Sequence, residues 1–167
     1  MEVTVVQGDI TVQDVDAIVN AANRPMRGGG GVDGAIHRAG GPEVIEDCRC
    51  RFPTGLATGD AGWTTAGEMP AQWVIHVVGP NFKRGERDRS LLTSCYERAL
   101  AVADELGART VGFPLISAGS YGWPKPDAID AALEVFRAAR TQVSEARMVA
   151  FSSLTHGQIM ARLQGTW

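Results

Sequence analysis

Ala17-Ile18-Val19-Asn20-Ala21-Ala22-Asn23, followed after four residues by Gly28-Gly29-Gly30-Gly31-Val32-Asp33-Gly34-Ala35-Ile36-His37-Arg38-Ala39, is the stretch whose reading decides the fold. Residues 17–19 form an unbroken apolar run and read as a short buried strand. The glycine run is a loop, and residues 32–39 carry helical spacing that should end at Gly40-Gly41. A strand, a glycine-rich loop and a helix N-terminus in succession make an anion site. The first N–H groups of a helix have no partner inside it, its dipole is positive at that end, and glycine lets a phosphate come close to the backbone.

The same arrangement occurs again near residue 117. Thr110–Phe113 reads as a short strand, Ser117-Ala118-Gly119-Ser120-Tyr121-Gly122 as a loop, and residues 124–140 as a helix with Pro124 in its first turn. No lysine or arginine lies between Ser117 and Trp123, so an anion held there depends on N–H groups and dipoles. Two such loops in one small chain suggest a diphosphate gripped from both sides.

Working outward, residues 3–6, Trp73–Val78 and residues 147–151 read as further strands. Residues 90–106 and 158–163 read as helices, and the mixed charges of residues 83–89 as a solvated loop. Alternation of strands and helices predicts α/β layering. With 167 residues and 44% apolar composition the chain can bury one sizeable core, so a single domain over residues 1–167 is expected. Nineteen acids against 16 bases leave a net charge of −3, which excludes a global positive field for nucleic acid. The N-terminus has no signal-like segment and no apolar run reaches membrane length, so a soluble, cytoplasmic, monomeric protein is expected. Cys48-x-Cys50 is too close for a zinc pair, and Cys48, Cys50 and Cys95 are read as structural thiols with no metal.

Asn23 and Asp33 flank the first glycine loop, Asp33 in the first turn of its helix. A carboxylate is favoured there by the helix dipole, and the two side chains are placed to converge on one bound atom. Gly29-x-Gly31-x-x-Gly34 also matches the dinucleotide fingerprint of dehydrogenases in form. That pattern needs its first glycine directly after the strand, whereas residues 20–28 intervene here, so a nicotinamide-dependent dehydrogenase ranks last among the readings.

Taken together, Gly8-Asp9-Ile10-Thr11, then Asp16 through Asn23, then Gly28 through Gly40 resemble the macrodomain family, in particular its MacroD-type ADP-ribosyl hydrolase branch. Residues 73–80 resemble its central strand and residues 113–122 its second phosphate loop, so the resemblance covers nearly the whole chain. It implies a three-layer α/β/α fold with a mixed, largely parallel central sheet. It further implies that Asp9 binds the adenine amino group with the Ile10 backbone beside it, and that Gly28, Gly29, Gly30, Gly31 and Val32 hold the diphosphate together with Ser117, Ala118, Gly119, Ser120 and Tyr121. Tyr121 would also pack on the distal ribose, where Asn23 and Asp33 would serve catalysis.

Where relatives carry an adenine-stacking aromatic followed by an acid, this chain reads Phe151-Ser152-Ser153-Leu154-Thr155, and Leu154 is expected to face the base. The activity implied is removal of mono-ADP-ribose from acidic side chains or deacetylation of O-acetyl-ADP-ribose, with no cofactor. A non-catalytic module that reads ADP-ribose, and a hydrolase of ADP-ribosylated nucleic acid, are the alternatives. The expected partners are ADP-ribose and ADP-ribosylated proteins or small molecules, with nucleic acid ends as a further substrate class and no membrane.

Overall fold

A computed structural model describes the backbone of residues 1–166 and the side chains of residues 1–165. Six strands form one sheet: β1 (Glu2–Gln7), β2 (Ala17–Ala22), β3 (Ala61–Thr65), β4 (Trp73–Val78), β5 (Thr110–Phe113) and β6 (Glu145–Ala150). Their spatial order is β1-β6-β5-β2-β4-β3, and every neighbouring pair is parallel except β3 with β4. The helices are α1 (Gly31–Gly40), α2 (Pro42–Arg51), α3 (Arg89–Leu106), α4 (Lys125–Ala138) and α5 (Ser153–Thr166). This is the mixed, largely parallel α/β/α arrangement expected from the sequence.

Successive strand side chains point to opposite faces, and the two faces meet different helices. Ala17 and Val19 of β2, with Ile75 and Val77 of β4, join the larger apolar core under α3, α4 and α5. Ile18 and Val74 face the other way, toward Ile36 of α1 and Val44 of α2, and Ala22 and Val78 toward Cys48. By that alternation Asn20 and His76 also lie on the α1–α2 face, and both are completely buried. Two polar side chains on neighbouring inner strands must therefore find hydrogen-bond partners there.

Two elements were not expected. Helix α1 does end where Gly41 turns back at φ 79°, but Pro42 immediately starts α2. Only Val44 and Cys48 of α2 are buried, a single i,i+4 pair amid charge, and so its apolar signal is weak. Strand β3 is an edge strand that includes Gly62, where any Cβ would collide with the Phe52 ring. At the other end, α5 begins at Ser153 and not at residue 158, with Ser152 Oγ accepting from Thr155 N at 3.2 Å. Among the described residues no helix is long and apolar enough to cross a membrane.

Candidate functional site

Where the parallel strands end at their C-terminal side, a cleft of about 560 Å³ opens between the two glycine-containing loops. Its floor includes Ala21 and Ala22 of β2, Gly79 after β4, residues 114–116 after β5, and Val149 and Ala150 of β6. A crevice at the carboxyl ends of parallel strands is the usual ligand position in such sheets. The volume suits a ligand of nucleotide size.

One wall is Gly29, Gly30, Gly31, Val32 and Asp33. Gly30 precedes α1 with no side-chain cap, so the first-turn N–H groups stay open. A Cβ on Gly30 would meet nothing within 4 Å, whereas one on Gly34 would lie 2.6 Å from the Gly29 carbonyl oxygen. Glycine at 34 thus lets the loop fold down on its own helix, while the exposed side of the loop is free for a ligand. The opposite wall is Ser117, Ala118, Gly119, Ser120 and Tyr121. Among the described residues the N–H groups of Gly119, Ser120 and Tyr121 have no partner. Ser117 sits at φ 65° with its Oγ buried and unpaired, a strained conformation held by its surroundings. Gly79 permits this, since any Cβ there would collide with Ser117 Oγ.

Asn23 and Asp33 do converge. An ideal Cβ built on Gly29 would lie 3.1 Å from Asp33 Oδ2 and 3.2 Å from Asn23 Nδ2. The two polar atoms therefore face one point beside the cleft that is about the size of a small atom. Each side chain is also tethered to its surroundings. Asn23 Nδ2 donates to the Gly28 carbonyl at 3.1 Å, and its Oδ1 is buried without a partner. Asp33 Oδ1 accepts from Asn20 Nδ2 at 2.8 Å and lies 3.3 Å from His37 Nε2, one turn further along α1. With Oδ1 held by donors on its inner side, the site-facing oxygen of Asp33 is Oδ2.

A family model described as Macro domain matches residues 19–132. This chain is a macrodomain. It is 52% identical over 165 residues to a macro domain-containing protein of Streptomyces coelicolor, covering 96% of this chain and 98% of the relative. It is 48% identical to a Pantoea vagans protein named O-acetyl-ADP-ribose deacetylase 1, over 81% of both chains. A solved Oceanobacillus iheyensis macrodomain variant with ADPR is 34% identical and superposes with a TM-score of 0.91, covering 96% of this chain and 91% of that one.

Of the residues that the sequence singled out, Asn23, Gly29 to Asp33 and Ser117 to Tyr121 line the macrodomain cleft. Four expected ligand residues lie outside its lining: Asp9, Ile10, Gly28 and Leu154. Gly28, at φ 93°, stands behind the loop as the acceptor that positions Asn23. Asp9 and Ile10 follow β1, which lies beside β6 at the same end of the sheet, where Gly8 N donates to the Ala150 carbonyl at 2.9 Å. Asp9 Oδ1 is taken by the Thr11 N–H and hydroxyl, and Ile10 packs in the α1-side core.

Leu154 is a correction. It lies in the first turn of α5, 67% exposed, because the chain leaves β6 at Ala150 and α5 starts early. The aromatic at this end of the cleft is Phe151, the first residue after the strand, and it is 89% exposed. Its position directly behind the last strand was the available signal. Lys125 was also missed. It is the cation on the cleft wall, its Nζ donating to Thr155 Oγ1 at 3.1 Å.

Cys48 is buried and Cys50 exposed, as expected for residues two apart on a helix, so they face different surroundings. Burial pushes the Cys48 thiol up to about 11 and the Cys95 thiol up to about 12, which keeps both protonated at neutral pH. Among the described residues no three His, Cys, Asp or Glu side chains are grouped to hold a metal ion. The charged loop before α3 also has a structural task, since Glu86 pairs with Arg24, next to Asn23, and accepts from Asn81 N.

Proposed function

We propose that the cleft binds ADP-ribose and that the chain hydrolyses the ester bond joining its distal ribose to a carboxylic side chain or an acetyl group. The observation that carries the reading is the convergence of Asp33 Oδ2 and Asn23 Nδ2 beside two loops of unpaired N–H groups. Binding alone would need the loops and not the converging pair. In this reading the diphosphate lies between the loops, the adenine lies toward Phe151 and Asp9, and the distal ribose sits by residues 23, 33 and 121. Asp33 Oδ2 orients a water for attack on the acyl carbon, Asn23 fixes a ribose hydroxyl, and the ribose oxygen leaves with a proton as the carboxylic acid departs. An ester is already labile, so positioning and electrostatic orientation supply the acceleration. Similarity to a protein named O-acetyl-ADP-ribose deacetylase supports the acetyl ester as one substrate.

The test has two stages. ADP-ribose at about 100 times its dissociation constant should stabilise the fold by about 2.7 kcal/mol, read by thermal melting. Release of free ADP-ribose is then measured from O-acetyl-ADP-ribose, from a glutamate-linked protein and from an ADP-ribosylated nucleic acid end. No melting shift removes the cleft assignment. A shift without release from any substrate leaves a binding module.

A further inference from the structure

Three adjacent strands carry a line of buried polar side chains on the α1–α2 face of the sheet. Asn20 on β2 is the register partner of His76 on β4. Its Nδ2 lies 2.8 Å from Asp33 Oδ1 and 3.1 Å from His76 Nδ1, so its two amide hydrogens serve the two acceptors. His76 Nε2 lies 2.8 Å from Thr64 Oγ1 on β3, and that hydroxyl donates onward to the Thr65 carbonyl at 2.9 Å. The donor directions admit one pattern. The Thr64 proton is spent on Thr65, so Thr64 accepts from a protonated His76 Nε2, and His76 Nδ1 is left to accept from Asn20. Turning the Asn20 amide over would set its oxygen against the Asp33 carboxylate. The line ends at Asp33 on one side and at a backbone carbonyl of the sheet edge on the other.

The ring is shut away from water. Cys48 Sγ of α2 lies 3.8 Å from Nε2, Phe52 meets the ring at 6.2 Å between centroids, and His37 of α1 lies at 6.4 Å. The charged groups that act on it are His37 of α1, which disfavours a second positive charge, and Asp33 of α1 and Asp47 of α2, which favour one. A packed core would be better served by an apolar side chain here, since an isolated buried polar group is costly and this ring needs a partner at each of its two nitrogens to be satisfied.

We propose that His76, with its tautomer fixed by Thr64, is a positioning residue that holds Asp33 through Asn20 and so sets the aim of Asp33 Oδ2. The inference rests on the hydrolase reading for its effect on turnover, and on geometry alone for the hydrogen-bond pattern. Asn20 gains a directed acceptor in place of a free rotor, and Asp33 gains a donor that cannot swing away. Desolvation holds the ring well below the usual imidazole range, at about 3, so the neutral form that this pattern requires persists across the range in which the protein would work.

Two amides separate positioning from packing. His76→Asn keeps an oxygen near the place of Nδ1 and so an acceptor for Asn20, whereas His76→Gln reaches the place of Nε2 and loses it. Both remove the ring and should lower the melting temperature alike. His76→Gln should lower kcat by about 10 to 100-fold, the cost typical of lost outer partners of ligating side chains, with ADP-ribose affinity unchanged. His76→Asn should recover most of that turnover. Equal turnover in both variants, or losses that follow melting temperature alone, would overturn the proposal.

A second measurement is independent of activity. Nitrogen-15 NMR of the imidazole in the intact protein should show a neutral ring protonated on Nε2 that does not titrate between pH 5 and 8. Thr64→Val should disturb that signal and Thr64→Ser restore it. A ring protonated on Nδ1 overturns the inference whatever the enzyme does. A parent protein that binds ADP-ribose but releases none from any ester contradicts the hydrolase reading, and the NMR result then still decides the hydrogen-bond pattern.

Discussion

The two loops that face each other across the cleft present similar rows of open N–H groups but stand on different supports. Behind the first lies a hydrogen-bonded line through Asn20, His76 and Thr64, ending at Asp33. Behind the second lies an aromatic pedestal. Tyr96 of α3 is fully buried against Phe113 and Phe136, and its hydroxyl accepts from Ile116 N at 3.0 Å where the loop begins. A polar line fixes the direction of one carboxylate, and an aromatic pedestal fixes the height of a backbone. On the proposed hydrolase reading, the difference gives orientation of reacting groups to one wall and grip on the ligand to the other.

The sharpest way to break that division is to damage each wall by itself. Asp33→Ala should lower turnover by about 10 to 1,000-fold with ADP-ribose affinity retained, the range for loss of an orienting group. Gly119→Glu, on a backbone with open space for the side chain, should remove binding by setting a negative charge where the diphosphate lies. Calorimetry and a turnover assay on the same two proteins check both. Equal loss of both properties in each variant would dissolve the distinction.

Acid should reach the first support before the second. The folded state keeps His76 neutral at about 3 while the unfolded chain protonates it near its ordinary value of about 6.5. Between these values the unfolded state binds more protons, so stability is full above pH 6.5 and falls as pH drops toward 3. The loss from this one group between pH 7 and pH 5 is about 2 kcal/mol. Chemical denaturation at the two pH values, in the parent and in His76→Asn, isolates it. A slope unchanged by the substitution would show that another group carries the acid sensitivity. Burial pushes the Tyr96 phenol above its usual range, so the second support has no matching transition near neutrality.

Phe151 and Leu154 sharpen the comparison at the far end of the cleft. Phe151→Ala should weaken ADP-ribose binding by about 1–3 kcal/mol, the worth of a base stacked on an aromatic. Leu154→Ala should leave affinity unchanged because that side chain stands outside the cleft. Titration calorimetry reads both, and a loss at Leu154 with none at Phe151 would return the base to the first turn of α5.

The pedestal should affect stability alone. Tyr96→Phe keeps the ring and removes the acceptor for Ile116 N, which should cost about 1–3 kcal/mol of stability by leaving a buried N–H unpaired. Melting with and without ADP-ribose should show the loss in both states, with kcat unaffected.

Much of this was legible in the sequence wherever backbone requirements dictate residue type. Gly28 and Gly31 stand at positive φ and Gly34 lies against the Gly29 carbonyl, so the first loop is written in residues that its backbone requires, and the strand at Trp73–Val78 in a β-branched apolar run. Helix α2 was hidden because two buried residues among charges make a faint apolar face. Leu154 was misplaced because the length of β6 and the start of α5 depend on where pairing with β1 and β5 stops, which is a tertiary fact. His76 read only as part of an apolar strand. That it answers Asn20 follows from a strand register joining residues 56 positions apart.

Gly29 has a further consequence. Its φ is not among the left-handed ones, so alanine fits its backbone, yet the added methyl would occupy the point shared by Asp33 Oδ2 and Asn23 Nδ2. Gly29→Ala should therefore retain the ligand and lose turnover, which a release assay beside a binding titration would check. In evolutionary terms, on the hydrolase reading one carbon would separate an eraser of the modification from a sensor of it. Such a crossing would leave the loops, the sheet and the affinity in place, and the return path would be equally short.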